Sequence, residues 1–277
     1  MSALCDLHTH TTASDGQYTP SELVGSAKER GLSILAVTDH DTIAGVAEAQ
    51  RAGAALGLTV IRGVELSAKE RPNFHILGYG FRDGETELAR LCEKFRAGRD
   101  DRKYKIVDFL REKGVGIDLS EVEALAGGEV IARPHFAQVL VKHGYVSTNR
   151  EAFDRYLDTP EFREKVKRFK ADARTCVEAI KAAGGKASLA HPYQMGLADE
   201  ELDVLVGQLK DWGLDAIECH YPKYTVEQQA FYLRLAEKYR LYQTGGSDFH
   251  GERVKPDVAL AAWELELGWL LGESVPS

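Results

Sequence analysis

The chain has 277 residues, with 35 Lys and Arg against 43 Asp and Glu, a formal net charge of −8, 44% hydrophobic residues and 28% charged residues. This is the composition of a folded α/β chain, either one large domain or one domain carrying an insertion, and it argues against disorder. No run approaches the roughly 20 apolar residues that span a bilayer, and the acidic balance disfavours a broad footprint for duplex nucleic acid, while an anionic substrate held through metal ions stays open.

The first predicted strand is Ala3–His8. A helix follows over Pro20–Arg30, announced by Thr19 as N-cap, Pro20 and Glu22, and closed by Gly31. Next come a strand at Ser33–Thr38, a helix at Thr42–Leu56, a strand at Thr59–Glu65 and another near Phe74–Tyr79. From about Glu85 to Arg168 the pattern is helical and highly charged, with one weak strand-like run at Glu129–Ala132. The alternation then resumes: helix Ala173–Ala183, strand Lys186–Ala190, helix Asp199–Trp212, strand Leu214–His220, helix Thr225–Tyr239 and strand Leu241–Thr244. Strands linked mostly by helices imply parallel pairing, in a barrel or in an open doubly wound sheet. Residues 1–84 and 169–277 are expected to form this body, with 85–168 as a helical insertion. Four cysteines (Cys5, Cys92, Cys176, Cys219) without CxxC spacing indicate neither a disulfide framework nor a thiolate zinc site. Cys5 and Cys219 alternate with the inward residues and are expected to pack against the helices. The opening MSALCDLHTH reaches charge too early for a signal peptide, so a cytoplasmic protein is expected.

The histidines carry the functional signal. His8 and His10 end the first strand, His40 the second, and Glu65 the third, while His75 lies in the next apolar run. His191 closes a strand, Glu218 and His220 close another, and Asp248 and His250 follow the last. Side chains two apart in a strand share a face, so His8/His10, Glu218/His220 and Asp248/His250 are each expected to project as pairs. In a parallel barrel these strand ends meet at one mouth, where imidazoles and carboxylates together suit divalent transition metals. His143, at a helix end in the insertion, reads as a C-terminal helix charge.

The strings Asp6-Leu7-His8-Thr9-His10, Thr38-Asp39-His40-Asp41, Glu65, Ala190-His191-Pro192 and Ser247-Asp248-Phe249-His250 resemble the motif set of the PHP (polymerase and histidinol phosphatase) superfamily. The resemblance runs from residue 6 to residue 250 and implies an α/β fold, a distorted (β/α)7 barrel with a helical insertion. It implies two to three divalent ions, of manganese, iron or zinc. The first would use His8, His10, Glu65 and Asp248; the second Glu65, His75 and His191; the third Asp15, His40 and His250. Asp15 stands where some members have His. The insertion is similar to that of a subgroup containing nucleoside-monophosphate and 3′,5′-nucleotide bisphosphate phosphatases and a cyclic-phosphate hydrolase. By that likeness Arg133 and His135 would contact substrate phosphate, Arg133 as a bidentate clamp. The subgroup's Gly-Lys-Pro-aromatic stretch is here Asp158-Thr159-Pro160-Glu161-Phe162, which leaves a nucleotide contact open.

The expected activity is hydrolysis of a small phosphorylated metabolite by a metal-bridging hydroxide. Glu65 and Asp248 would act at the reacting centre, His220 as phosphate contact or leaving-group acid, and Asp39 in chemistry or in orienting His40. The insertion would be a substrate lid or, alternatively, a dimerisation arm. A cyclic phosphodiesterase that goes on to cleave the resulting monoester is the nearest alternative, and a non-catalytic metal-binding module is one of another class. A carbamate-bridged amidohydrolase lacks its lysine, because no Lys ends a strand. The sequence leaves the oligomeric state open.

Overall fold

Seven apolar runs become seven strands: β1 (Ser2–Thr9), β2 (Ile34–Val37), β3 (Thr59–Ser67), β4 (His75–Tyr79), β5 (Lys186–Leu189), β6 (Ala216–His220) and β7 (Tyr242–Gly245). An eighth, β8 (Trp263–Glu266), was not anticipated from the sequence. The structure is a computed structural model, and it describes residues 2–126, 131 and 133–272. Apart from Ile131, the weak run at Glu129–Ala132 therefore lies outside the described residues.

All eight strands form one sheet in the order β7-β6-β5-β4-β3-β2-β1-β8. β1 to β3 pair in parallel, as do β5 to β7. β4 runs antiparallel to both β3 and β5, which corrects the expectation of parallel pairing there. The reason is the short connection Ala68–Phe74, because a parallel crossover needs a dozen residues or more. The reversal matters for the site: it puts His75, the first residue of β4, opposite Ser67 at the far end of β3. β8 lies antiparallel on β1, Ser2 to Cys5 against Glu266 to Trp263.

The sheet closes nearly into a barrel through the segment after β7. The Asp248 N–H donates to the His8 carbonyl (2.8 Å) and the His10 N–H to the Phe249 carbonyl (2.9 Å). Gly246 makes this approach possible, since a Cβ there would lie 2.1 Å from His8 Cβ and 2.6 Å from its nitrogen.

Helices α1 (Pro20–Glu29) and α2 (Val46–Leu56) cover one flank. The α1 start has the capping box expected of Thr19 and Glu22, with the Glu22 Oε2 accepting the Thr19 N–H at 2.9 Å. Leu35 and Val37 of β2 pack with Leu23, Val24 and Ala27 of α1 and with Ala49 of α2. Cys5 instead packs among strand residues, with Leu7, Ile34, Ala36, Leu77 and Tyr79, so it does not face the helices as expected. A register shift in β1 between Asp6 and Thr9 breaks the alternation on which that expectation rested.

α3 (Glu87–Glu112), α4 (Leu119–Ala126), α5 (Arg133–Lys142), α6 (Asn149–Ala152), a π-helical turn over Phe153–Leu157 and α7 (Pro160–Lys165) occupy the middle of the chain. Residues Lys94–Phe169 form a unit of their own, around Phe109, Leu110, Phe136, Leu140, Leu157 and Phe162. The expected boundary at 85 falls earlier than the observed one because the start of α3, with Leu88, Leu91 and Cys92 buried, belongs to the barrel unit. That unit ends with α8 (Ala173–Ala182), α9 (Asp199–Asp211), α10 (Val226–Lys238) and α11 (Gly268–Leu271). No helix among the described residues is long and apolar enough to cross a membrane.

Candidate metal centre

Glu65 is the hub of the strand-end cluster. Its Oε1 lies 2.8 Å from His75 Nδ1, 2.9 Å from His191 Nε2 and 3.3 Å from His8 Nε2. Its Oε2 lies 2.8 Å from His40 Nδ1 and 3.3 Å from His10 Nε2. The backbone sets this up: the Glu65 N–H donates to the Asp39 carbonyl and the Asp41 N–H to the Glu65 carbonyl, so β2 is extended as far as His40 beside Glu65. Asp248 Oδ1 stands 3.3 Å from both His10 Nε2 and His250 Nδ1. Asp15 is about half exposed, with Oδ1 3.4 Å from His250 Nε2 and Oδ2 3.9 Å from His40 Nε2.

Nine side chains expected as ligands therefore come together. Four groups have ligand atoms mutually within 4.8 Å: His10/Asp15/His40/His250, His8/Glu65/His191, His8/His10/Asp248 and His40/Glu65/His75. The first contains the trio expected at a third ion, with His10 added. The two Glu65 oxygens face different histidines, which is the arrangement a bridging carboxylate needs.

The electrostatics fit divalent cations. Burial lowers His10 well below the ordinary imidazole range, and His250 and His40 push it the same way. Burial likewise lowers His75 to about 4, against the pull of Glu65. Neutral imidazoles are the form that ligates a metal. Glu65 stays well below the usual carboxylate range because His40, His75 and His8 outweigh its burial. His8 goes the other way: Glu65 and Glu218 overcome burial and raise it. A cation at Nε2 answers the same surplus of negative charge as a proton. Among the described residues, buried His8 Nε2, His10 Nδ1 and Nε2, His191 Nδ1 and Glu65 Oε2 meet no partner in hydrogen-bonding geometry, despite the close approaches above. Polar atoms buried this way are costly unless something of opposite character sits among them.

His191 and Asp248 hold left-handed backbone, at φ 23° and 57°, of the kind that costs roughly 1–3 kcal/mol and recurs at functional sites. Each is held by its amide: His191 N–H donates to Glu218 Oε2 at 2.7 Å, and Asp248 N–H to the His8 carbonyl at 2.8 Å.

Two expected catalytic residues are placed elsewhere. Asp39 accepts bonds from the Thr11 N–H, the Thr11 hydroxyl and the Ser14 hydroxyl, each 2.7 Å, and so ties down the loop carrying Asp15. His220 has Nδ1 2.9 Å from Gln229 Nε2 and Nε2 3.4 Å from Gln243 Oε1, engaging none of the converging groups. A register shift between Glu218 and His220 breaks the pairing that spacing alone predicted. Glu218 keeps the inward direction, with Oε1 3.1 Å from His8 Nδ1.

Tyr221 and Lys255 were not anticipated. Both donate to Asp248 Oδ2, at 3.0 and 2.7 Å. No motif spacing marks either residue; Tyr221 directly follows the strand-end His220, and Lys255 lies in the loop after β7. In the helical unit, Arg133 Nη1 donates to Asp158 Oδ1 at 2.6 Å and to the Leu157 carbonyl at 3.2 Å, and His135 is partly buried on α5.

A PHP domain model matches residues 6–166. The chain is 39% identical over 246 residues to a 5′-3′ exoribonuclease of Haemophilus influenzae, covering 88% of this chain and 89% of that one. It is 34% identical over 262 residues to a phosphoribosyl 1,2-cyclic phosphate 1,2-diphosphodiesterase of Eggerthella lenta, covering 89% and 94%. Among solved structures, a candidate metal-dependent phosphoesterase from Bifidobacterium adolescentis superposes with TM-score 0.78 at 30% identity, covering 98% of this chain and 96% of that one.

Proposed function

The chain belongs to the PHP domain family and is a metal-dependent phosphoesterase, and from that premise we propose that it hydrolyses a small phosphorylated metabolite at the Glu65 cluster. The observation that carries this reading is the position of Glu65, with each carboxylate oxygen against a different set of imidazoles. His8, His10, Asp15, His40, Glu65, His75, His191, Asp248 and His250 would hold two to three divalent ions, of manganese, iron or zinc. When bound, the ions supply Lewis-acid polarisation of the phosphoryl group and acidify water.

The chain's own residues do the rest. Glu65 and Asp248 hold negative charge at the centre and fix the imidazoles around it. Glu218 orients His8 and the His191 backbone. Water adds to phosphorus as the P–O ester bond breaks, and the departing alkoxide takes up a proton. In this reading the helical unit selects the non-reacting part of the substrate, with Arg133 and His135 as its phosphate contacts.

The test is phosphate release by protein purified with manganese, compared with Glu65→Ala. Turnover that survives loss of this carboxylate refutes the assignment. A second reading, action on an RNA 5′ end, is favoured by the Haemophilus relative, and the Eggerthella relative favours a cyclic ester. A nucleoside monophosphate, a nucleoside bisphosphate, a ribose cyclic phosphate and a short 5′-phosphorylated RNA in one assay separate the three.

A further inference from the structure

We infer that Lys255 is a substrate-binding residue whose ammonium holds a phosphoryl oxygen of a phosphate ester, or of inorganic phosphate, while remaining paired with Asp248. The inference rests on the phosphoesterase reading of the Glu65 cluster. It starts from the two oxygens of Asp248, which face different neighbourhoods. Oδ1 is 3.3 Å from His10 Nε2 and from His250 Nδ1, and 3.8 Å from His8 Nε2. Oδ2 takes the Tyr221 hydroxyl at 3.0 Å and the Lys255 ammonium at 2.7 Å.

Holding Asp248 in place does not by itself require a lysine, because Tyr221 already donates to the same oxygen. The charge balance supplies a stronger reason. Asp15, Glu65, Glu218 and Asp248 all lie in or against the cluster, so part of the positive charge of any bound ions is neutralised there and a further cation at the rim adds to the attraction for an entering oxyanion. Among the described residues, Lys255 is the one Lys or Arg ion-paired with any of the nine converging side chains. It is 35% exposed, whereas the Asp248 side chain is 4% exposed, so the ammonium stands where the buried centre meets solvent. An ammonium has three N–H donors, and the Asp248 bond uses one.

The lysine is also held by its loop. The N–H groups of Val254 and Lys255 both donate to the Gly251 carbonyl, at 3.1 and 2.8 Å. Gly251 has φ 95°, and a Cβ there would come within 2.3 Å of Gln17 Cβ. The Gln17 side-chain oxygen accepts the Arg253 N–H at 2.8 Å, and the Gln17 N–H donates to the His250 carbonyl at 2.7 Å. The loops carrying Asp15 and Lys255 are thus clasped together, so the backbone that presents the lysine is fixed before a ligand enters.

The experiment measures binding of inorganic phosphate by calorimetry to manganese-loaded wild type, Lys255→Met and Lys255→Arg, with metal content by elemental analysis and KM on a phosphate monoester alongside. Losing a charged hydrogen bond should weaken phosphate binding and raise KM in Lys255→Met roughly 10- to 100-fold, with metal content unchanged. Lys255→Arg should recover most of the affinity. Unchanged phosphate affinity in a fully loaded Lys255→Met overturns the inference, as does a loss of metal with phosphate affinity per loaded site preserved. Absence of turnover by the wild type on any phosphate ester would instead overturn the phosphoesterase reading, and it is distinguishable because the binding measurement needs no turnover.

Discussion

Glu218 Oε1 lies 3.1 Å from His8 Nδ1, and its Oε2 accepts the His191 N–H at 2.7 Å. One buried carboxylate on β6 therefore sets an imidazole on β1 and the backbone after β5, without itself belonging to any of the four ligand groups. Carboxylates behind a ligating histidine fix its ring and raise its basicity. Glu218→Gln keeps the size but removes the charge. It should lower metal affinity roughly 10- to 100-fold, read by chelator competition. Wild-type affinity in that variant would count against a positioning role.

Gly246 and His8 give a packing prediction. A Cβ at residue 246 would meet His8 Cβ at 2.1 Å and Glu218 Oε1 at 2.9 Å, and the contacted backbone is part of the barrel closure. Gly246→Ala should therefore cost about 3 kcal/mol or more in urea unfolding, beyond an ordinary overpacked site. An unfolding midpoint equal to wild type would show that the closure can move aside.

Much of the centre was legible because its chemistry is carried by residue types at strand ends. His8, His10, His40, Glu65, His191, Asp248 and His250 end or follow short runs that read as strands between helices. What was hidden depends on backbone events that spacing does not encode. The register shift after Glu218 turned His220 out of the centre while Glu218 stayed in. The direction of β4, and with it the reason His75 joins the mouth, follows from a short connection between β3 and β4 whose pairing only the fold reveals. β8 escaped because Trp263–Glu266 is a four-residue run that follows a loop with no helix. Lys255 and Tyr221 meet at one carboxylate oxygen from different loops, a relation no local pattern announces.

Asp172 gives a pH-dependent prediction away from the centre. It caps α8, its Oδ1 accepting the Thr175 N–H at 2.8 Å, with Lys69 at 3.3 Å from Oδ2. The bonds from Thr175, followed by Lys69, hold its carboxyl at about 2, below the ordinary 3.8. A carboxyl depressed in the folded state stabilises above its unfolded pKa, and that stability is lost as pH falls through the folded value. Asp172→Ala should cost about 1 kcal/mol at neutral pH. The gap between the two proteins, followed by unfolding of metal-free samples, should shrink as pH falls from 3.8 toward 2. A gap that stays constant would place the effect in packing and not in the charge.

Arg133 is the expected phosphate clamp, and its guanidinium already has partners. Nη1 donates to Asp158 Oδ1 and the Leu157 carbonyl, and Asp158 also takes Arg163 at 2.7 Å. Asp158 is part of the Asp158-Thr159-Pro160-Glu161-Phe162 stretch in which the chain departs from the Gly-Lys-Pro-aromatic pattern. These partly exposed ion pairs are worth under about 1 kcal/mol to folding, so Arg133→Ala should leave the unfolding curve nearly unmoved. If Arg133 also grips the transferring or a second phosphate, the same substitution lowers kcat/KM by about 2–4 kcal/mol with metal content unchanged. Asp158→Ala is the control that separates the two roles, because it frees the guanidinium without removing it and should preserve most of the turnover. Intact turnover in Arg133→Ala, accompanied by a change in solution mass, would show that residues 94–169 serve assembly instead of substrate selection.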